Sequence, residues 1–261
     1  MRGWLWVMLC LIGFGARAEP VTLAGPGGLA LKAQMFRPAV ARDVPAIVAL
    51  HGCGGPFGAR DRQWREKLLA EGHILLFPDS FGSRGLKSQC QERNRLATAG
   101  GLRRQDALAA AQWLVAQPGT PQGGVVLLGW SDGGSTVLAA GEARADLPAG
   151  LLRGLVAFYP GCTGAAHSPG WQPATPLLIL MGEADDWTPA APCHALAAQV
   201  GARLSLTTYA GAYHDFDAPV PVRTRQNIPS SQNADHSVHA GGDPAAAQDA
   251  LRRVSAFLAG L

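Results

Sequence analysis

Val125-Val-Leu-Leu-Gly-Trp-Ser-Asp-Gly-Gly134 runs four apolar residues into a serine flanked by glycines. Four consecutive apolar side chains suit a short strand buried on both faces. The stretch after it, from Asp132 to about residue 143, is rich in Gly, Ser and Ala and reads as a helix of small residues. Gly129-Trp130-Ser131-Asp132-Gly133 therefore spells G-x-S-x-G at a strand-to-helix turn, the setting in which a serine is held out as a nucleophile. Small residues two before and two after Ser131 let neighbouring chain segments close around the turn. The helix start offers backbone N–H groups and a positive dipole end to a developing oxyanion. Taken alone, a five-residue string of this kind is weak in a chain with 33 glycines, and its strength comes from that context.

Outward from this turn, short apolar runs alternate with helical patterns. Strands are expected at Ala46–Leu50, His73–Phe77, Val125–Leu128, Gly154–Phe158, Leu177–Leu180 and Arg203–Tyr209. Helices are expected over 60–71, 102–117, 132–143, 190–200 and 244–259. Such alternation predicts an α/β fold with a mostly parallel central sheet, helices on both faces and right-handed crossovers. Val21–Leu23 and Leu29–Phe36 suit a leading antiparallel hairpin turning at Pro26-Gly27-Gly28. Residues 217–242 are rich in Pro, Asn, Ser and Gly and read as a long loop able to cover part of a site. No second domain and no internal repeat is visible, so the 261 residues are read as a leader followed by a single domain over 19–261.

A serine hydroxyl needs a base, and the base needs an orienting carboxylate. In strand-turn-helix hydrolases these follow in the order Ser, Asp or Glu, His. The strand Leu177–Leu180 runs into Met181-Gly182-Glu183-Ala184-Asp185-Asp186, so Asp185, Asp186 and Glu183 are candidate acids on the rim that carries Ser131. The next strand ends in Ala210-Gly211-Ala212-Tyr213-His214, and of seven histidines only His214 follows the strand after the acid. His236 and His239 form an H-x-x-H pair in the long loop, read as structural rather than as metal ligands. The early strand runs into His51-Gly52-Cys53-Gly54-Gly55, a turn of the type that supplies an oxyanion N–H. The N–H groups of Cys53 and Asp132 are the expected pair, with His51 as a structural residue of the loop. The scheme needs neither metal nor organic cofactor.

Around these residues the sequence resembles the dienelactone hydrolase family within the α/β-hydrolases. Gly182-x-x-Asp185 followed by Trp187-Thr188-Pro189 is similar to its acid loop, which favours Asp185 over Asp186. Tyr209-Ala-Gly-Ala-Tyr-His214-Asp-Phe216 is similar to its histidine loop. The resemblance spans about Pro45 to Phe216 and the last helix. It implies the α/β-hydrolase fold and hydrolysis of an ester or lactone of a small molecule. The best-known members use a cysteine nucleophile where this chain has Ser131, and carry a glutamate in the oxyanion loop where this chain has none. Pro78-Asp-Ser-Phe-Gly-Ser-Arg84 resembles, with a one-residue shift, a segment whose arginine binds a substrate carboxylate. Arg84, and Trp130 beside the serine, are accordingly candidate substrate contacts. Polyester depolymerase, feruloyl esterase, peptidase, acyltransferase and a binding protein on the same scaffold stay open as alternatives.

The first residues read as an address. Arg2, an apolar run over Gly3–Gly15 and Ala16-Arg17-Ala18 predict a secretory signal cut between Ala18 and Glu19, leading to the periplasm or beyond. The run is too short to serve comfortably as a membrane anchor. Its removal lowers the formal charge from +3 to +1, because Arg2 and Arg17 leave with it. No Lys/Arg block remains to suggest a nucleic-acid partner. Four cysteines remain, an even number that favours disulfides in an exported chain. In the implied fold the third and fourth strands are neighbours, as are the sixth and seventh. That arrangement pairs Cys53 with Cys90 and Cys162 with Cys193.

Overall fold

The computed structural model describes residues 18–261. The leader expected over 1–18 lies outside the described residues except for Ala18. In chain order the elements are β1 (Glu19–Ala24), β2 (Ala30–Phe36), β3 (Ile47–Leu50), α1 (Gly58–Ala70), β4 (Leu75–Pro78), α2 (Leu102–Val115), β5 (Val125–Trp130) and α3 (Asp132–Ala140). They continue with β6 (Leu152–Phe158), α4 (Thr163–Ala166), β7 (Leu177–Gly182), α5 (Ala191–Val200), β8 (Leu204–Tyr209), β9 (Arg223–Arg225), β10 (Val238–Ala240) and α6 (Pro244–Ala259).

Eight strands form one sheet in the order β1-β2-β4-β3-β5-β6-β7-β8. β1 pairs antiparallel with β2, and β2 with β4; every pairing from β4 to β8 is parallel. All six residues of β5 are buried, as its unbroken apolar run requires of a strand covered on both faces. The two faces can be read from β6. A Cβ at Gly154 would meet Phe257 and Leu261, whereas the next side chain, Leu155, occupies the space beside Gly141 at the end of α3. Successive strand residues point to opposite faces, so α6 covers one side of the sheet and α3 the other. The last helix follows from its sequence: Asp243 accepts hydrogen bonds from the N–H groups of Ala245 and Ala246, Pro244 opens the first turn, and Ala246, Ala250, Val254 and Leu258 form the buried stripe.

The chain order jumps where β3 lies between β4 and β5. The carboxyl ends of β3 and β5 therefore part at this point, and a crevice forms where loops leave in opposite directions. One feature differs from the sequence reading. The segment 217–242 is not structureless, since β9 and β10 pair as a short antiparallel hairpin and Ala240 bridges to His214. On α2, Arg103, Arg104 and Asp106 are buried beside the apolar stripe Ala107, Ala110, Ala111 and Leu114, because each charge meets a partner from another segment. No helix among the described residues is long and apolar enough to cross a membrane.

Candidate active site

Ser131 stands between β5 and α3 with φ 55° and ψ −119°, a backbone conformation that costs energy in a residue with a side chain. The flanking glycines make it possible. A Cβ at Gly129 would lie 2.3 Å from the carbonyl oxygen of Gly133, and one at Gly133 would lie 2.1 Å from that of Leu50. The turn is held by two backbone bonds: Ser131 N–H donates to Phe158 O at 2.9 Å, and Ser135 N–H donates to Ser131 O at 2.8 Å.

His214 follows β8 and is 1% exposed. Its Nδ1 lies 2.7 Å from Asp185 Oδ2 and its Nε2 lies 2.8 Å from Ser131 Oγ. With the Nδ1 proton donated to the carboxylate, Nε2 is left to accept the serine proton. Asp185 receives three further donors: the N–H groups of Trp187 and Thr188 at 2.9 and 2.8 Å, and the Thr188 hydroxyl at 3.0 Å. Four donors fix both oxygens of one buried carboxylate. Burial pushes the His214 imidazole down, but the Asp185 charge and hydrogen bond, with Asp215 nearby, more than offset it, and the net shift is upward.

The other candidate acids are engaged elsewhere. Asp186 holds the Nδ1 and backbone N–H of His239, both at 2.8 Å, and the Asn233 amide at 2.9 Å. It thus pins the β9–β10 segment rather than orienting His214. Glu183 accepts from His194 Nε2 at 2.9 Å on the surface. His51 is buried with Nδ1 2.8 Å from Gly52 O, and burial together with the Arg103 guanidinium holds its pKa down to about 3. Its loop leaves the N–H of Cys53 without an acceptor among the described residues, and the N–H of Asp132 likewise; both residues line the cleft over Ser131. The Asp132 side chain points away to Arg95 and Arg103.

Two expected substrate contacts lie elsewhere. Arg84 forms a two-pronged ion pair with the buried Asp106, at 2.7 and 2.9 Å, and so ties its loop to α2. Trp130 is fully buried, because residues on either side of a strand position alternate and Ser131 takes the open side. Its indole N–H donates to Asp217 Oδ2 at 2.9 Å. Asp217 also accepts from Trp64 Nε1 and the Tyr159 hydroxyl, each at 2.6 Å. Burial raises the pKa of this carboxylate despite Arg60 nearby. Arg60, itself buried, stacks 4.5 Å above the Trp130 ring. Sequence reasoning missed this layer below the serine. Its one signal was the second aspartate in His214-Asp215-Phe216-Asp217. Tyr159 and Trp187 also went unassigned; their rings sit 4.6 and 4.7 Å from the His214 ring and wall it in.

The cleft over Ser131 measures about 560 Å³ and is walled partly by Pro229, Ser230 and Gln232 from the 217–242 segment. Both expected disulfides are present, Cys53–Cys90 and Cys162–Cys193. Among the described residues no group of three or more His, Cys, Asp or Glu side chains is arranged to hold a metal ion.

A mostly parallel eight-stranded sheet with Ser131, His214 and Asp185 joined at its carboxyl rim defines an α/β-hydrolase. The chain belongs to the dienelactone hydrolase family, whose profile matches residues 31–261. That family places it among hydrolases of the ester and lactone type. Solved structures agree on the fold. A candidate dienelactone hydrolase from Klebsiella pneumoniae superposes with a TM-score of 0.65 at 18% identity, over 95% of this chain and all (100%) of that one. Esterase 2 of Thermogutta terrifontis gives 0.63 at 19% identity, over 93% and 94% of the two chains. The esterase of Pyrobaculum calidifontis gives 0.64 at 18%, over 93% and 82%. None of the curated proteins matches the sequence.

Proposed function

We propose that the protein is an exported serine esterase that cleaves carboxylic esters or lactones through an acyl-enzyme. The observation that carries this reading is the unbroken chain from Ser131 Oγ through His214 to Asp185, at 2.8 and 2.7 Å, on a strained turn. Ser131 attacks the carbonyl as His214 Nε2 takes its proton. Asp185 keeps the Nδ1 tautomer and stabilises the imidazolium. The N–H groups of Cys53 and Asp132 receive the oxyanion, and the positive end of α3 adds to their field. His214 then protonates the leaving alcohol, and in the second half it activates water against the acyl-enzyme. Cleavage after Ala18 and oxidation of two cysteine pairs fit a chain that works in the periplasm or outside the cell.

A fluorophosphonate probe with intact-mass analysis and peptide mapping tests the site. The expected result is one adduct on Ser131, absent at matched times in His214→Ala, with ester turnover lost in Ser131→Ala. Wild-type turnover by Ser131→Ala, or no adduct on folded protein, would overturn the assignment.

A further inference from the structure

A second, smaller lobe of about 180 Å³ opens from Ser131 and His214 toward Arg60, Asp215 and Arg225. Asp215 directly follows the histidine and holds φ 59°. It is 7% exposed, yet its carboxylate has no hydrogen-bond donor among the described residues. Two guanidinium groups stand off from it: Arg60 Nη1 is 3.5 Å from Oδ1 and Arg225 Nη2 is 3.9 Å from Oδ2. The contrast with its neighbours is sharp. Asp185 receives four donors, Asp217 receives three at its side chain, and Asp106 is gripped by two prongs of Arg84. Buried carboxylates in folded proteins take up their hydrogen bonds. Asp215 alone among these carboxylates accepts no hydrogen bond from a described residue, and it lines the lobe together with Ser131 and His214.

Its charge is already matched. Arg60 and Arg225 flank Asp215, and Arg60 also pairs with Asp61 at 3.0 Å. The Asp215 carboxylate therefore lacks a hydrogen bond, not a counter-charge. An ammonium would supply donors but would meet two guanidinium groups. A hydroxyl supplies a proton to the carboxylate and an oxygen to Arg225 without adding charge.

We propose that this lobe is a specificity subsite for a hydroxyl near the scissile carbonyl, with Asp215 as acceptor and Arg225 as donor, an inference that rests on the esterase reading above. The substrate class is then hydroxylated esters, either of short hydroxy acids or of polyols, whose short polar branch suits a lobe of about 180 Å³.

Two matched pairs test it: phenyl lactate against phenyl propionate, and glycerol 1-monobutyrate against 1-propyl butyrate. The hydroxylated member of at least one pair should show a kcat/KM about 10- to 100-fold higher, the range expected of a hydrogen bond to a charged group. Asp215→Asn should cut that ratio and Asp215→Ala should bring it near unity; Arg225→Gln should lower it too. A ratio taken within one protein cancels any effect of Asp215 on His214. Equal kcat/KM within both pairs for the wild-type enzyme would overturn the subsite. No turnover of all four esters together with absent fluorophosphonate labelling would overturn the esterase reading, and the subsite with it, so the two failures are distinguishable.

Discussion

His214 carries opposing influences whose balance, in the proposed mechanism, sets the working pH. Burial favours the neutral ring, while the Asp185 carboxylate 2.7 Å away favours the charged one and prevails. Only the neutral ring can take the serine proton, so activity rises as pH passes upward through the His214 pKa. The acid limb of kcat/KM should therefore have its midpoint above the ordinary 6.5. Asp185→Asn removes the charge and leaves burial, so the limb should move down while kcat falls by about three to four orders of magnitude. A pH–rate profile of both proteins checks the two effects together; an unmoved limb would mean that Asp185 does not set the imidazole. Ser131 and His214 were legible in the sequence because chain order and strand ends confine them. The choice between Asp185 and Asp186 was not legible from the residues alone, since both follow the same strand. A difference of one residue rotates one side chain onto His214 and sends the other to His239. Trp130 misled because adjacency to a nucleophile in sequence is opposition across a strand in space.

Strands and helices with long apolar patterns were found within a few residues of their observed ends, and β9 and β10 were not found at all. Their sequences, Arg-Thr-Arg and Val-His-Ala, are too short to display a period. Their pairing is imposed from outside, by Asp186 holding His239 and Asn233 and by Ala240 meeting His214. The hairpin is therefore a strap along the cleft, fastened by its side chains at the Asp186 carboxylate and by its backbone at His214. Asp186→Ala should unfasten it, at a cost of about 1–3 kcal/mol from donors left without an acceptor. The expected signs are faster proteolytic nicking between residues 219 and 238 and a raised KM, with labelling of Ser131 retained. Unchanged nicking would show that the strap is held by something else. The buried charges of α2 were hidden for a related reason. Arg103, Arg104 and Asp106 look like a solvated turn until segments remote in sequence bring Asp132, Asp146 and Arg84 against them.

At the scale of the molecule, the two disulfides close loops of 37 and 31 residues. Each is worth about 3–4 kcal/mol in the chain-entropy model, a large share of the stability of one domain. The Cys53–Cys90 bridge also anchors the loop whose Cys53 N–H is proposed to receive the oxyanion. Exported protein should have a mass matching a chain that begins at Glu19 with no free thiol. Reduction should lower Tm and slow labelling of Ser131 together; a mature mass beginning at Met1, or labelling indifferent to reduction, would refute this account. The carboxylate of Asp217 gathers side chains from α1, from β5 and from the residue after β6. Two of them are indoles, with rings 6.3 Å apart and Phe158 beside both. Chromophores that close, held at fixed angles in a rigid asymmetric setting, couple their transitions and give strong near-ultraviolet dichroism, which fades when packing loosens. Because Trp130 is the residue before Ser131, the protein carries its own optical gauge of whether the floor beneath the nucleophile is assembled, readable without label, substrate or inhibitor.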